Sequence, residues 1–176
     1  MLYPRDPVPN FETEMLDGGR WRLSEQNPRN FVMIVVYRGY QCPLCKAHLT
    51  GLNEHIDTLE SLGIETFVVS AESKEQVEKA RSDWGLTKLS MGYGLNPTMG
   101  HKWGLYISER FKEGESEAEL FFEPGLFLIR GDDQTLYYTS IQNMPFGRPD
   151  WNEFIRLMGH IAGTDYPARG HVKLFK

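Results

Sequence analysis

Apolar positions change their period along the chain, and each change marks a predicted element. Phe31 to Tyr37 is a run rich in β-branched residues and apolar on both faces, the pattern of a strand buried at the centre of a sheet. Further on, Leu49, Leu52, Ile56 and Leu59 recur at steps of three and four up to Gly63, which predicts a long amphipathic helix with a glycine stop. Thr66 to Ser70 reads as a second short apolar strand. Ser73 and Gln76 then form a capping-box pattern ahead of Val77, Ala80 and Trp84, and Gly85 ends that helix. Strand, helix, strand, helix in this order implies a right-handed crossover and a parallel strand pair.

Both flanks of this unit read as antiparallel. Phe11 to Met15 and Trp21 to Leu23 enclose Asp17-Gly18-Gly19, whose glycines accept the positive φ angles of a tight turn, so an N-terminal hairpin is expected. Leu126 to Ile129 and Leu136 to Ile141, joined through Gly131-Asp132-Asp133-Gln134, predict a second hairpin. After the loop Gln142 to Pro149, the residues Trp151, Phe154, Ile155, Met158 and Ile161 share one face of a last helix closed by Gly163. Gly92 to Trp103 has no clear period beyond Pro97, which suits a short helix start. Glu109 to Glu119 holds five glutamates in eleven residues and reads as a solvated surface insertion. The expected architecture is one α/β domain over residues 1–176, with a central mixed sheet flanked by helices and an aperiodic tail at 164–176.

Composition narrows the function more than the fold. At 176 residues and 40% hydrophobic, the chain holds enough apolar side chains for one core without a disulfide scaffold. Its 19 basic and 24 acidic residues leave a net charge of -5, which gives no general attraction for nucleic acid or an anionic membrane. The start, Met1 to Glu12, has no apolar run of signal-peptide length, so the expectation is a soluble, cytoplasmic protein whose thiols are kept reduced. There are two cysteines, Cys42 and Cys45, and in such surroundings a close pair is expected to do chemistry rather than brace the fold.

The pair stands in Tyr37-Arg38-Gly39-Tyr40-Gln41-Cys42-Pro43-Leu44-Cys45-Lys46, between a strand and a helix start. Pro43 suits the first helical position, which puts Cys42 at the cap, exposed, with the orphan amides and the positive end of the helix dipole facing its sulfur. That setting lowers a thiol from about 8.5 to between about 3.5 and 7.5. Arg38 and Lys46 lie near enough in sequence to add to it. Cys45 sits one helical turn behind, near the Cα separation of about 5.5 Å that a disulfide prefers. One cysteine can attack and the other can resolve. Metal binding is the sharpest competing reading, since Cys42, Cys45 and His48 are spaced C-x2-C-x2-H, but a structural zinc site takes four ligands and only His101 is left to add. His48 and His55 read as helix-edge residues, and Trp84, Trp103 and Trp151 as core. No metal or organic cofactor is implied.

These residues resemble the thioredoxin superfamily, and within it the peroxiredoxin-like branch known as AhpC/TSA. Three stretches carry the resemblance. Cys42-Pro43 is similar to the peroxidatic cysteine and its following proline, while Cys42-Pro43-Leu44-Cys45 equally resembles the redox motif of glutaredoxins and disulfide oxidoreductases. Pro124-Gly125-Leu126-Phe127 looks like the peroxiredoxin strand that begins Arg-Gly-Leu-Phe. Met144-Pro145-Phe146-Gly147-Arg148 is similar to Leu-Pro-Val-Gly-Arg ahead of the last helix. The resemblance implies a thioredoxin-like fold and a thiol-dependent peroxidase. In that role Cys42 becomes a sulfenic acid, Cys45 resolves it, and thioredoxin, glutaredoxin or glutathione acts as reductant; a homodimer is compatible with it. The alternative is a thiol-disulfide oxidoreductase acting on protein disulfides.

The departures are equally specific. Peroxiredoxins place a threonine or serine three residues before the cysteine and a proline seven before; here those positions are Gly39 and Val35. Where they place an arginine beside the thiolate stands Pro124, which looks like the cis-proline of thioredoxins, so a cis bond between Glu123 and Pro124 is expected. If the strand after Pro124 runs antiparallel to the one before Cys42, it starts at the cysteine edge, and the next strand delivers the loop carrying Arg148 there. Arg148 is then the candidate cation for the thiolate and a reacting oxyanion, with Arg38 as substitute and Arg130 at the far end of the sheet. Pairing with Asp150 on the surface is the alternative for Arg148.

Overall fold

A computed structural model of the chain describes residues 2–113 and 118–174. Glu12–Met15 (β1) and Arg20–Arg22 (β2) form the N-terminal hairpin. Phe31–Val36 (β3), Pro43–Ser61 (α1), Ile64–Val69 (β4) and Lys74–Asp83 (α2) follow as the crossover unit. Next come Ser90–Tyr93 (β5), Pro97–Lys102 (α3), Ile107–Glu109 (β6) and Leu120–Phe122 (β7). Gly125–Arg130 (β8), Leu136–Ile141 (β9) and Trp151–Thr164 (α4) complete the chain. Seven strands join in the order β2-β1-β5-β4-β3-β8-β9, a mixed sheet with β3 and β4 parallel and β3 and β8 antiparallel.

Alternation along β3 divides the core. Phe31, Met33, Val35 and Tyr37 face α1, α2 and α4, whereas Val32, Ile34 and Val36 face the layer of Phe11, Trp21, Trp103 and Phe122. Because both faces are covered, β3 is apolar at every position, which is why its pattern shows no period of two. Trp103 is fully buried and meets Phe11 and Phe127 edge-on at 5.2 and 4.9 Å, and Trp21 stacks on Phe67 at 4.2 Å. Full burial of such a side chain contributes about 3 kcal/mol. Trp84 and Trp151 are core residues of the other layer, as expected.

Four differences from the sequence reading have local causes. Strand β5 lies between β4 and β1, and its third residue is Gly92, where a Cβ would fall 2.6 Å from Phe67 Cζ and 2.8 Å from Thr13 Cγ2. Packing against the neighbouring strands demands a glycine that hides the strand's apolar pattern. Second, the acidic stretch Glu109 to Glu119 is the connection of a hairpin, since β6 pairs with β7; residues 114–117 of it lie outside the described residues. Third, α4 runs through Gly163 to Thr164, and the left-handed residue that ends it is Asp165, with φ 48°. Fourth, β4 begins at Ile64, because register with β3 starts at Phe31↔Ile64. Among the described residues no helix is long and apolar enough to cross a membrane.

Candidate active site

The antiparallel register Val36↔Gly125 places the end of β3 beside the start of β8, and Ile141, the end of β9, pairs with Gly125. Residues distant in sequence therefore meet at one sheet edge: the Arg38 to Cys42 loop, Pro124, and the loop from Gln142 to Pro149. The same register pairs Phe31 with Arg130, so Arg130 stands at the opposite end, bonded to Asp132.

Cys42 is the N-cap of α1 and Pro43 the first helical residue. The Cys42 carbonyl accepts from the Cys45 and Lys46 amides at 3.0 and 3.1 Å. Two features differ from expectation. The sulfur closes no capping hydrogen bond of its own, and Cys42 is 7% exposed, a nearly covered thiol rather than an open one. The reason is the partner it has instead. A hydrogen bond from the Cys45 thiol is the main force holding Cys42 down to about 5, helped by the Cys45 amide and the charges of Arg148 and Arg38, and opposed by burial. Cys45, fully buried, is pushed well up by that burial and by giving its proton to Cys42. One proton is thus shared unequally, and at neutral pH Cys42 carries the charge.

Arg148 reaches the pair from the far loop. Its Nη1 donates to the Leu44 carbonyl at 3.1 Å and its Nη2 to Cys45 Sγ at 3.2 Å. The guanidinium lies on Cys45 rather than directly on Cys42, a finer placement than its loop position implied. Asp150 does not hold it; that carboxylate caps α4 by accepting the Glu153 amide at 2.9 Å. Arg38 turns the other way. Its guanidinium sits 3.5 Å from Glu123 Oε2 and over the Phe121 ring at 4.8 Å, and its charge helps to lower Cys42.

Pro124 lines a crevice of about 10 Å³ with Val35, Tyr37, His48, Gln142 and Arg148, room for one water. The expected cis bond is absent: among the described residues every peptide is trans. The chain passes from β7 to β8 without turning, the Glu123 amide bonding Tyr106 and the Pro124 carbonyl accepting from Gln142, and a cis bond would break that line. Gly39 has φ 151° and its Cβ would fall 2.3 Å from Glu72 Oε1, so no other residue fits there.

His48 is more than a helix-edge residue. Burial and the Arg148 charge push its imidazole down to about 4. It is therefore neutral, with Nε2–H donating to the Pro149 carbonyl at 3.3 Å. Its ring packs on Trp151 at 4.4 Å, and Trp151 Nε1 donates to the His48 carbonyl at 2.8 Å. Together they fasten the Arg148 loop to α1. His101, the distant histidine considered as a ligand, is exposed on α3 across the sheet, and among the described residues no three His, Cys, Asp or Glu side chains form a metal-holding group. The buried acids Glu72 and Glu123, both beside the loop, carry no sequence pattern that separates them from surface glutamates.

The titration gives a direct prediction. Alkylation of Cys42 by iodoacetamide should rise to half its maximum near pH 5 and be flat by neutrality, where an ordinary thiol is still climbing. In the unfolded chain the thiol titrates near 9.0, so the folded value is the depressed one. Its contribution to the stability of the reduced protein grows between about pH 5 and 9 and is lost as pH falls through about 5. Chemical denaturation at several pH values, with and without Cys42→Ser, reads this. A midpoint for alkylation above 7 contradicts the arrangement.

Comparison with known proteins places the architecture. Enterococcus faecalis AhpC matches at TM-score 0.74 and 16% identity, covering 96% of this chain and 99% of that one. A reduced 2-Cys peroxiredoxin of Plasmodium vivax matches at TM-score 0.72 and 16% identity, with 93% and 98% covered. The peroxidoxin BcpB of Mycobacterium tuberculosis matches at 0.65 and 14%, with 92% and 94% covered. At these identities the likeness shows the thioredoxin-like fold of peroxiredoxins and nothing finer. No curated protein matches the chain significantly. The family model of the AhpC/TSA family matches residues 4–138, which include β1 to β8, the cysteine pair and Pro124. With the fold, the strand register and this match in agreement, the chain belongs to the AhpC/TSA family, the peroxiredoxin-like branch of the thioredoxin superfamily.

Proposed function

We propose that the protein is a thiol-dependent peroxidase in which Cys42 attacks the peroxide and Cys45 resolves the product. The observation that carries this reading is the placement of the pair, with Cys42 at the cap of α1, Cys45 buried one turn behind it and Arg148 Nη2 3.2 Å from the Cys45 sulfur, an arrangement that lowers Cys42 to about 5 and raises Cys45. The Cys42 sulfur attacks one peroxide oxygen and the O–O bond breaks; the leaving oxygen takes a proton and departs as water or alcohol. Cys42 is then a sulfenic acid. The Cys45 sulfur attacks the Cys42 sulfur, the S–O bond breaks, hydroxide leaves with the Cys45 proton as water, and a disulfide remains. A dithiol partner, thioredoxin-like or glutaredoxin-like, or glutathione, restores both thiols by exchange. Arg148, within bonding reach of Cys45, supplies positive charge for the departing oxygen.

A thiol-disulfide oxidoreductase is the second reading, favoured by the Cys42-Pro43-Leu44-Cys45 spacing on a helix start. The trans bond before Pro124 takes away one of its supports. The two are separated by giving reduced protein one equivalent of hydrogen peroxide and, separately, insulin. Thiol loss far faster than that of free cysteine, with little insulin reduction, is the expected result. Peroxide reacting no faster than with free cysteine, while insulin is reduced readily, overturns it.

A further inference from the structure

We propose that Glu72 is a positioning residue for Cys42, acting through a single peptide unit. Glu72 follows β4 and is 1% exposed. Its Oε2 accepts the Tyr40 amide at 2.8 Å, and the carbonyl of that same peptide, Gly39 C=O, accepts the Cys42 amide at 3.2 Å. A carboxyl oxygen, one peptide and the nucleophile's own backbone therefore form a continuous chain of hydrogen bonds. Polarising the peptide at its N–H end strengthens the acceptor at its carbonyl end.

The surroundings hold each link in place. The Glu72 amide bonds Ser70 Oγ at 3.3 Å, and its carbonyl accepts from Gly94 at 2.8 Å, so the backbone beneath the side chain is itself pinned. Gly39 admits the carboxyl where a Cβ would overlap it. The Tyr40 ring stacks on Trp84 at 5.7 Å, lies under Lys79 Nζ at 4.7 Å, and its hydroxyl donates to Asp83 at 2.7 Å, all on or just after α2. Residue 40 is thus gripped through both backbone and side chain, and Cys42 two residues on inherits a fixed position over Cys45. Burying a carboxyl beside the loop is costly unless its oxygens are used, and the Tyr40 amide is such a use. This inference rests on Cys42 being the attacking thiol.

Two substitutions separate reach from charge. Glu72→Gln keeps an oxygen at the same distance and removes the charge; Glu72→Asp keeps the charge and withdraws the oxygen by one methylene. Iodoacetamide alkylation of Cys42 against pH and amide exchange at Tyr40 are the readouts, with thermal unfolding alongside. Glu72→Gln is expected within about twofold of wild type, and Glu72→Asp about tenfold slower at about pH 4, below both midpoints, the effect of roughly one unit in the thiol pKa, with faster Tyr40 exchange. Equal impairment of both variants, or a Glu72→Asp protein that loses only melting temperature, overturns the proposal. If Glu72→Asp does not fold, rapid Tyr40 amide exchange in the wild type overturns it and strong protection supports it. Neither readout uses peroxide, so a failure here is distinct from a failure of the peroxidase reading, which the peroxide and insulin comparison decides.

Discussion

Cys45→Ser protein treated with one equivalent of hydrogen peroxide is expected to lose its remaining thiol at close to the wild-type rate and to stop at a sulfenic acid that dimedone captures. No disulfide forms and turnover with any dithiol reductant falls to background. Cys42→Ser, by contrast, should react no faster than free cysteine, because burial and proton donation keep Cys45 well above its ordinary range and leave almost no thiolate. The serine hydroxyl at 45 still offers Cys42 a hydrogen bond, and Cys45→Ala does not. Since that bond is the largest influence lowering Cys42, the alanine variant is expected to titrate one to two units higher, roughly a five- to fiftyfold loss of thiolate at pH 5. Intact-mass analysis after dimedone and the pH profile of alkylation read the two effects separately. A Cys42→Ser protein that consumes peroxide rapidly would exchange the two roles.

The contrast between these variants shows what a linear reading can and cannot deliver. Cys42 at a helix cap, Pro43 at the first turn and Cys45 one turn behind are local facts of spacing, and local facts survive into the structure. The meeting of Arg148 with the pair was also legible, because it needs only strand direction: β8 antiparallel to β3, and β9 returning. Register alone sends Arg130 to the other end. What escaped was everything set by packing between elements. Glu72 and Glu123 are glutamates like any other until the sheet closes over them. Whether Pro124 is cis depends on where the chain goes next, which Gln142 and Tyr106 decide from elsewhere in the fold. His48 has the spacing of a helix-edge residue and becomes a latch only because Trp151 and Pro149 arrive against it. Even the lowered pKa was right in direction with a different leading cause. The helix cap suggested backbone amides, whereas the other cysteine contributes most.

Arg148→Met is expected to slow oxidation of Cys42 by peroxide about a hundredfold at neutral pH, the usual scale for removing one preorganised donor from a developing oxyanion. The substitution keeps the length of the stem and removes both donated bonds, to the Leu44 carbonyl and to Cys45 Sγ. Arg148→Lys should recover only part of the rate. An ammonium restores charge, but a single donor centre does not span a carbonyl and a sulfur at once. The thiolate answers in the same direction, since Arg148 helps to lower both cysteines, and the Cys42 alkylation midpoint should rise in Arg148→Met. A general loss of structure would slow the reaction too, so a group the chemistry does not use provides the control. Arg148 is also one of the causes holding His48 down, and removing a neighbouring cation favours the protonated imidazole. His48 should therefore titrate above its present value of about 4 in Arg148→Met and remain below an ordinary histidine, because burial is the larger cause and stays. Proton NMR of the histidine ring follows that movement, and stopped-flow tryptophan fluorescence follows the oxidation. A hundredfold loss of rate with His48 unmoved would mean that the guanidinium had never stood between the two sites, and the role assigned to it at Cys45 would fall with it.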